Sequence, residues 1–364
     1  MNFQICNFIL YPNDYSVNKR FTMTTGMTVV ICCHNSVLRI APTLKHLANQ
    51  KNLPLSSWEV IIVDNASTDN TSEFSAQVWN DIKGEKPVFK IVQENTPGLS
   101  SARKKGIEES NYDYVLFCDD DNWLDENYLS IALNIMQANP LIGALGGTGY
   151  PVFEDKEPPC FWVNQYHTLA VGEQSAIDGD ITNTRGVLYG AGMIVNKTAF
   201  NTLKQKFSFQ FQVTDRIGKS LASSGDHELC LALKKIGYKI YYSKSLKFQH
   251  FIPKQRTTIK YYKRLYLGFG ISYALLHVYR INDKTIYNVK NDYRYICLRA
   301  FVKIIIIDIK LLLHGYYFDT NKYKYLDQIQ GLYTHKGVLS TFLKVKNAFK
   351  FQYLNLPLFA TKSL

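Results

Sequence analysis

Tyr114-Val115-Leu116-Phe117-Cys118-Asp119-Asp120-Asp121 is the stretch on which the reading of this chain turns. A short β-branched and aromatic run reads as a buried strand, and this one delivers three carboxylates to its own C-terminal end. In open α/β sheets ligands gather at that edge. Three adjacent carboxylates repel one another, so a fold that holds them together calls for a divalent cation, Mg²⁺ or Mn²⁺, with a phosphate-bearing ligand. The competing reading is a solvated acidic turn capping the helix that starts near Asp125.

Outward from this stretch, strand-like and helical patterns alternate. Thr28–Cys33 reads as a first strand, Val37–Gln50 as a helix and Trp58–Val63 as a second strand. Asp69-Asn70-Thr71-Ser72 opens a second helix with capping residues, Pro87–Val92 is a third strand and Leu99–Ser110 a third helix. Beyond the triplet come a helix over Asp125–Asn139 and a strand at Ile142–Leu145. This βαβ rhythm predicts an α/β fold with a mostly parallel sheet flanked by helices. After Gly149 the rhythm breaks, and Tyr150–Arg185 reads as a long, aromatic-rich irregular stretch with a functional role. Val187–Val195 then reads as a strand, Asp226–Ile236 as a helix, and Tyr238–Tyr242 and Leu246–Phe251 as short strands. From Thr257 onward the pattern is helical and rich in Tyr and Lys.

The net charge of +12 over 364 residues is unevenly spread. Acidic clusters concentrate in the first half, while the chain beyond Lys197 is dense in Lys, Arg and Tyr. A basic, aromatic tail suits anionic lipid headgroups. It brings no recognised nucleic-acid motif, so nucleic acid is not expected as a partner. Seven irregularly spaced cysteines give no disulfide framework and fit a reducing cytosol. Met1–Leu10 lacks a secretory pattern, and Met23 and Met27 both read as plausible starts. Ile296–Phe318 is strongly apolar, but Arg299, Lys303, Asp308 and Lys310 interrupt it, which predicts an interfacial or a buried core helix rather than a membrane span.

Four groups of residues carry chemistry. The first strand ends in His34-Asn35 and the second in Asp64-Asn65, where a carboxylate can accept hydrogen bonds from a nucleobase or ribose, or simply open a helix. Pro97-Gly98-Leu99-Ser100-Ser101-Ala102-Arg103 leads into a helix whose N-terminus can face an anion, with Arg103 either in the site or structural. The triplet Asp119-Asp120-Asp121 is the fourth.

Together with Gly225-Asp226-His227-Glu228-Leu229, these motifs make the chain, from about Thr28 to His250, resemble a family 2 inverting glycosyltransferase with the nucleotide-sugar-binding GT-A fold. The resemblance implies that Asp64 contacts the nucleobase, usually uracil, and that the triplet occupies the place of the DxD motif. Asp121 would be the main metal ligand, and Asp119 or Asp120 would contact ribose or donor sugar. Gly190-Ala191-Gly192 resembles the loop against the donor sugar, and Asp226 matches the catalytic base. Gly225 stands where the family motif has Glu, which leaves substrate detail open. His250 sits where some relatives place a further metal or diphosphate ligand, Arg256 could neutralise the leaving diphosphate, and Glu228 could face the acceptor. Read from the residues alone, Asp226 could only cap its helix and His250 could be a satisfied core histidine.

The resemblance divides the chain into an N-terminal extension over 1–26, a glycosyltransferase domain over 27–255 (27–150 for the nucleotide-sugar, 151–255 on the acceptor side), and a helical, basic, membrane-associated region over 256–364. The expected activity is metal-dependent transfer of a sugar, UDP-linked by family habit, to a glycan or polyprenyl-linked acceptor in surface-polysaccharide synthesis. The expected place is the cytoplasmic face of the cell membrane. The alternatives are a sugar-phosphate nucleotidyltransferase, disfavoured by the lack of a Gly-rich phosphate loop with a following basic residue after the first strand, and a non-catalytic membrane-docking protein with a degenerate fold.

Overall fold

The computed structural model describes residues 24–155, 160–213, 215–216, 221–280, 286–316 and 325–345. Residues 1–23 of the expected extension, Pro158-Pro159 and the basic run from residue 346 lie outside the described residues. The chain opens with β1 (Thr24–Cys33), α1 (Ile40–Ala48), β2 (Trp58–Asn65), α2 (Thr71–Asp81), β3 (Val88–Glu94), α3 (Leu99–Glu109) and β4 (Tyr112–Asp119). These four strands are parallel and ordered β3-β2-β1-β4. The apolar runs of β1, β2 and β4 follow from burial on both faces, whereas β3, at the sheet edge, carries Lys90 and is only partly buried. Val29, Ile31 and Cys33 join the core under α1 and α4, while Val30 joins the one under α3 and the later helices.

The second half completes the same sheet. After β5 (Asn122–Leu124) and α4 (Tyr128–Ala138) come β6 (Ile142–Phe153), β7 (Gly179–Asp180), β8 (Met193–Asn196), α5 (Lys197–Phe207), α6 (Gly225–Lys235) and β9 (Lys239–Ile252). The sheet continues β4-β8-β6-β9-β5, with β8 antiparallel to both neighbours and β5 antiparallel to β9. The fold is therefore a mixed, mostly parallel α/β sheet with helices on both faces.

Several sequence expectations need correction. The strand expected at Ile142–Leu145 runs on to Phe153, because it finds a long parallel partner in β9. The two strands expected at Tyr238–Tyr242 and Leu246–Phe251 are one strand, whose pairing with β6 shifts register between Gly146 and Thr148. The strand expected from Val187 begins only at Met193, because the chain turns through Gly192 at φ +70. The stretch read as irregular holds a 3₁₀ helix at Cys160–Leu169. Within it Trp162 is fully buried, packs edge-on against Tyr262 and donates its indole N–H to Thr257 O at 2.9 Å. It is a packing residue rather than an exposed sugar platform.

The C-terminal region is helical as expected: α7 (Ile259–Leu276), α8 (Ile286–Leu313) and α9 (Leu326–Val345). Tyr262, Leu265 and Tyr266 of α7, Leu311 of α8 and Ile329 and Leu332 of α9 form a core that also takes in Trp162 and Ile252. Among the described residues no helix is long and apolar enough to cross a membrane.

Candidate active site

Parallel register brings the acidic strand ends to one edge. Cys33 pairs with Asp64 and Cys32 with Asp119, so β1, β2 and β4 end side by side. A cavity of about 990 Å³ opens there. Its far wall comes from α7, through Tyr261, Leu265, Tyr266 and Phe269. Five arginines and five aspartates line it, which equips it at once to hold an anion and to bind a cation or move a proton.

The triplet divides by function. Ser36 and Arg39 both engage the Asp120 carboxylate, Arg39 Nη2 at 2.7 Å. Burial and neighbouring Asp121 still push Asp120 upward, with Arg39 opposing. Asp121 is 2% exposed. The chain reverses at this residue, so that β5 pairs with β9 and sets Asn122 opposite His250. His250 Nε2 then lies 3.4 Å from one Asp121 oxygen, and Arg256 Nη1 lies 3.1 Å from the other. Burial opposes the Asp121 charge, but His250 and Arg256 outweigh it and hold the carboxyl well below its usual range.

A metal fits this group only in part. Among the described residues no three His, Cys, Asp or Glu side chains are arranged to hold one. Asp121 and His250 offer one oxygen and one nitrogen facing each other, with Arg256 already standing as the cation between them. Two protein ligands suit a cation completed by diphosphate oxygens and water.

Asp226 stands half-buried at the start of α6 and lines the cavity. Its Oδ2 accepts the Gly190 N–H at 2.6 Å and its Oδ1 the His227 N–H at 2.8 Å. Arg103, 4% exposed, lies directly against Gly190, where any side chain would strike its guanidinium. Burial opposes the Arg103 charge, while Asp119, Asp226 and Asp215 together sustain it.

Asp215 was not anticipated. Its Oδ1 accepts Ser224 N–H at 2.9 Å and Gly225 N–H at 3.1 Å, and its carboxylate lies 3.8 Å from Arg103. It fills the space that a side chain at residue 225 would need, so an acidic group stands where the family motif has one, delivered from a different part of the chain. Burial pushes its pKa up to about 6, with Arg103 pulling the other way. Arg39 was also missed, having been read as an interior helix residue. Its only sequence signal is a cation five residues past His34.

Other expected site residues stand further out. His34 and Asn65 line the cavity, and His34 Nδ1 donates to Asn65 O at 2.8 Å. Asp64 sits just behind them, accepting from Ser67 N–H, Ser72 Oγ and Gln93 Nε2. Burial pushes it up, but these donors prevail and hold it low. Asn35 adopts φ +52 and ties the two strand tips together by accepting Thr68 N–H at 2.8 Å. Gly190 lines the cavity, whereas Gly192 lies behind it and accepts the Tyr128 hydroxyl at 2.6 Å. Glu228 is fully buried outside the cavity lining. It accepts backbone N–H groups of Gln212 and Val213 and the Tyr279 hydroxyl, and burial raises its pKa to about 7. The residue expected to face the acceptor is thus held behind the cavity wall by these donors.

Residues 28–203 match the family described as glycosyl transferase family 2. This stretch, just under half of the chain, is a glycosyl transferase family 2 domain. It is 30% identical over 148 residues to a poly-beta-1,6-N-acetyl-D-glucosamine synthase of Staphylococcus aureus, a match covering 39% of this chain and 33% of that relative. It is 28% identical over 113 residues to a cholesterol galactosyltransferase of Borreliella burgdorferi, covering 31% of this chain and 30% of the relative. The chain thus spans about a third of the length of these curated relatives. The mannosyltransferase PcManGT of Pyrobaculum calidifontis, solved with GDP-Man and Mn²⁺, shares the fold with a TM-score of 0.59 at 15% identity, over 90% of this chain and 91% of that one. S. aureus TarS in complex with UDP-GlcNAc matches with a TM-score of 0.51 at 14% identity, over 90% and 92%. The GT-A fold expected from the motifs is the fold of the family.

Proposed function

We propose that this protein is a metal-dependent inverting glycosyltransferase moving a sugar from a nucleotide donor, UDP-linked by expectation, to a hydroxyl of a glycan or polyprenyl-linked acceptor. One observation carries the reading: Asp226 and the group Asp121, His250 and Arg256 line the same cavity. A base for the acceptor and a charge clamp for the leaving group are thus offered to one ligand.

In the proposed reaction the acceptor oxygen attacks the anomeric carbon, the bond from that carbon to the nucleoside diphosphate breaks, and the hydroxyl proton passes to Asp226. A carboxylate has about four acceptor sites. The Gly190 and His227 donors take two, which aims the group while leaving room for the acceptor hydroxyl. Arg256 would neutralise charge building on the diphosphate. Asp121 and His250 would hold the divalent cation, which supplies Lewis-acid stabilisation of the same charge when bound. An imidazole nitrogen in that pair suits Mn²⁺ better than the harder Mg²⁺. Asp64, kept ionised behind the β2 tip, would accept from the nucleobase. The relatives' ligands, UDP-GlcNAc, GDP-Man and Mn²⁺, support a nucleotide-sugar donor and a divalent metal. The polysaccharide synthase relative and the basic C-terminal region support a role in surface-polysaccharide synthesis at the cytoplasmic face of a membrane.

The test is release of nucleoside diphosphate from a panel of UDP- and GDP-sugars with Mn²⁺, for the wild type and Asp226→Asn. Turnover should fall by roughly 10²–10⁴-fold in the variant with donor KM nearly unchanged. Equal turnover would remove Asp226 as the base. Release of inorganic pyrophosphate from UTP or GTP with a sugar 1-phosphate, and no release of nucleoside diphosphate from the nucleotide-sugar panel, would favour a nucleotidyltransferase.

A further inference from the structure

Helix α8 is apolar on two opposite sides, and only one of them is covered. At 100° per residue, Ala300, Ile304, Ile307 and Leu311 fall on one side, where they pack in the cores shared with α7 and α9. Leu298, Phe301, Val302, Ile305, Ile309 and Leu312 form a stripe on the other, each 43–62% exposed. Monomeric soluble proteins rarely leave so continuous an apolar stripe open. Arg299, Lys303 and Lys310, all exposed, fall in a row along one flank of that stripe.

We infer that the outer face of α8 lies in the interfacial layer of an anionic membrane, parallel to its plane. An exposed apolar stripe edged by basic residues is the arrangement that inserts side chains to the depth of the upper acyl chains while cations pair with lipid phosphates. Arg299, Lys303 and Lys310, three of the four charges that forbid a span, favour this position because they sit beside the stripe rather than within it, while half-buried Asp308 falls on its other flank. A second copy of the chain is the less suitable occupant, because it would bring one basic row and one net charge of +12 against another. α7 shares its core with α8 through α9, which packs on both, and supplies the apolar and aromatic wall of the cavity through Leu265, Tyr266 and Phe269. Docking α8 would therefore hold that wall behind the lipid-facing helix, on the same C-terminal helical side of the molecule, which suits an acceptor carried on a polyprenyl chain. This last point rests on the glycosyltransferase reading; the docking does not.

Flotation of the full chain with phosphatidylcholine vesicles, with and without phosphatidylglycerol, tests it. The wild type should bind the anionic vesicles about tenfold or more tightly than the neutral ones. Ile305→Asp with Ile309→Asp, and separately Arg299→Gln with Lys303→Gln, should each weaken that binding by about tenfold or more. Retention of the nucleotide-induced thermal shift, measured without vesicles, shows that the variants fold. Three results would overturn the inference: no wild-type binding to anionic vesicles, unchanged binding by the aspartate variant, or a wild-type dimer that the same variant dissociates. Any of these with the nucleotide shift intact overturns the docking alone and leaves the catalytic reading standing.

Discussion

Asp215 joins the parts of the site at the level of single residues. Its side chain caps the start of α6, which carries Asp226, and its backbone carbonyl accepts from Leu99 at the start of α3, which carries Arg103. Its raised pKa, near 6, and that of Glu228, near 7, have a consequence for stability. A carboxyl whose folded pKa is raised stabilises fully below its unfolded value, and that contribution is lost as pH rises through the folded value. Asp64 and Asp121 are held low, so their contribution is complete above the ordinary carboxylate range and is lost only in acid. Between pH 5 and 8 Asp215 and Glu228 therefore make stability fall as pH rises, with Asp120 also pushed upward, while His167 and His335, which burial holds below the ordinary imidazole value, oppose that fall at its acid end. Asp215→Asn should change the slope of the melting temperature between pH 5 and the folded value near 6, removing on the order of 1 kcal/mol of pH dependence there. Thermal denaturation across pH checks this, and an unchanged slope in the variant would contradict it.

At the level of elements, the turn from Tyr189 to Gly192 is set by what lies beneath it. Gly190 has no room for a side chain above Arg103, and its N–H holds Asp226. Gly190→Ala should displace the guanidinium or lift the turn, costing about 1–3 kcal/mol of stability. It should also lower kcat by loosening the base; calorimetry and initial rates measure both. An alanine variant as stable and as fast as the wild type would show that the contact is dispensable. This turn also marks a limit of the sequence. Val187–Val195 is apolar enough to read as one strand, and only the pairing with β4 shows that it starts at Met193. Helix α5 escaped notice because its buried Ala199, Phe200 and Leu203 are interleaved with Lys and polar residues. β1, β2 and β4 were legible because each carries an apolar run ending in a polar turn, and β3, broken by Lys90, because its β-branched residues follow a proline. Asp119–Asp121 and Asp226 were legible because they sit at a strand end and a helix start. Asp215 was not, since it stands outside any periodic pattern, nor was Arg39, which falls within a helical pattern as one more polar residue; both reach their partners only through tertiary contact.

On the scale of the whole molecule, one sheet and the C-terminal helices α7 and α9 line the cavity from opposite sides. The β1, β2 and β4 tips bring the acidic and nucleotide-facing groups, and α7 brings an apolar wall. The long β9 links these halves, because it carries His250 to Asp121 and leads into Arg256 and α7. Under the proposed function, a nucleotide held here would couple to the metal through Asp121. The most direct measurement is thermal stability with UDP, GDP, CMP or dTDP, each with and without Mn²⁺, for the wild type and Asp121→Ala. Ligand at a hundred times its Kd should stabilise the fold by about 2.7 kcal/mol. The account predicts a Mn²⁺-dependent rise with one nucleotide, UDP by expectation, that disappears in Asp121→Ala. No rise with any nucleotide, or a rise that survives in the variant, would contradict it.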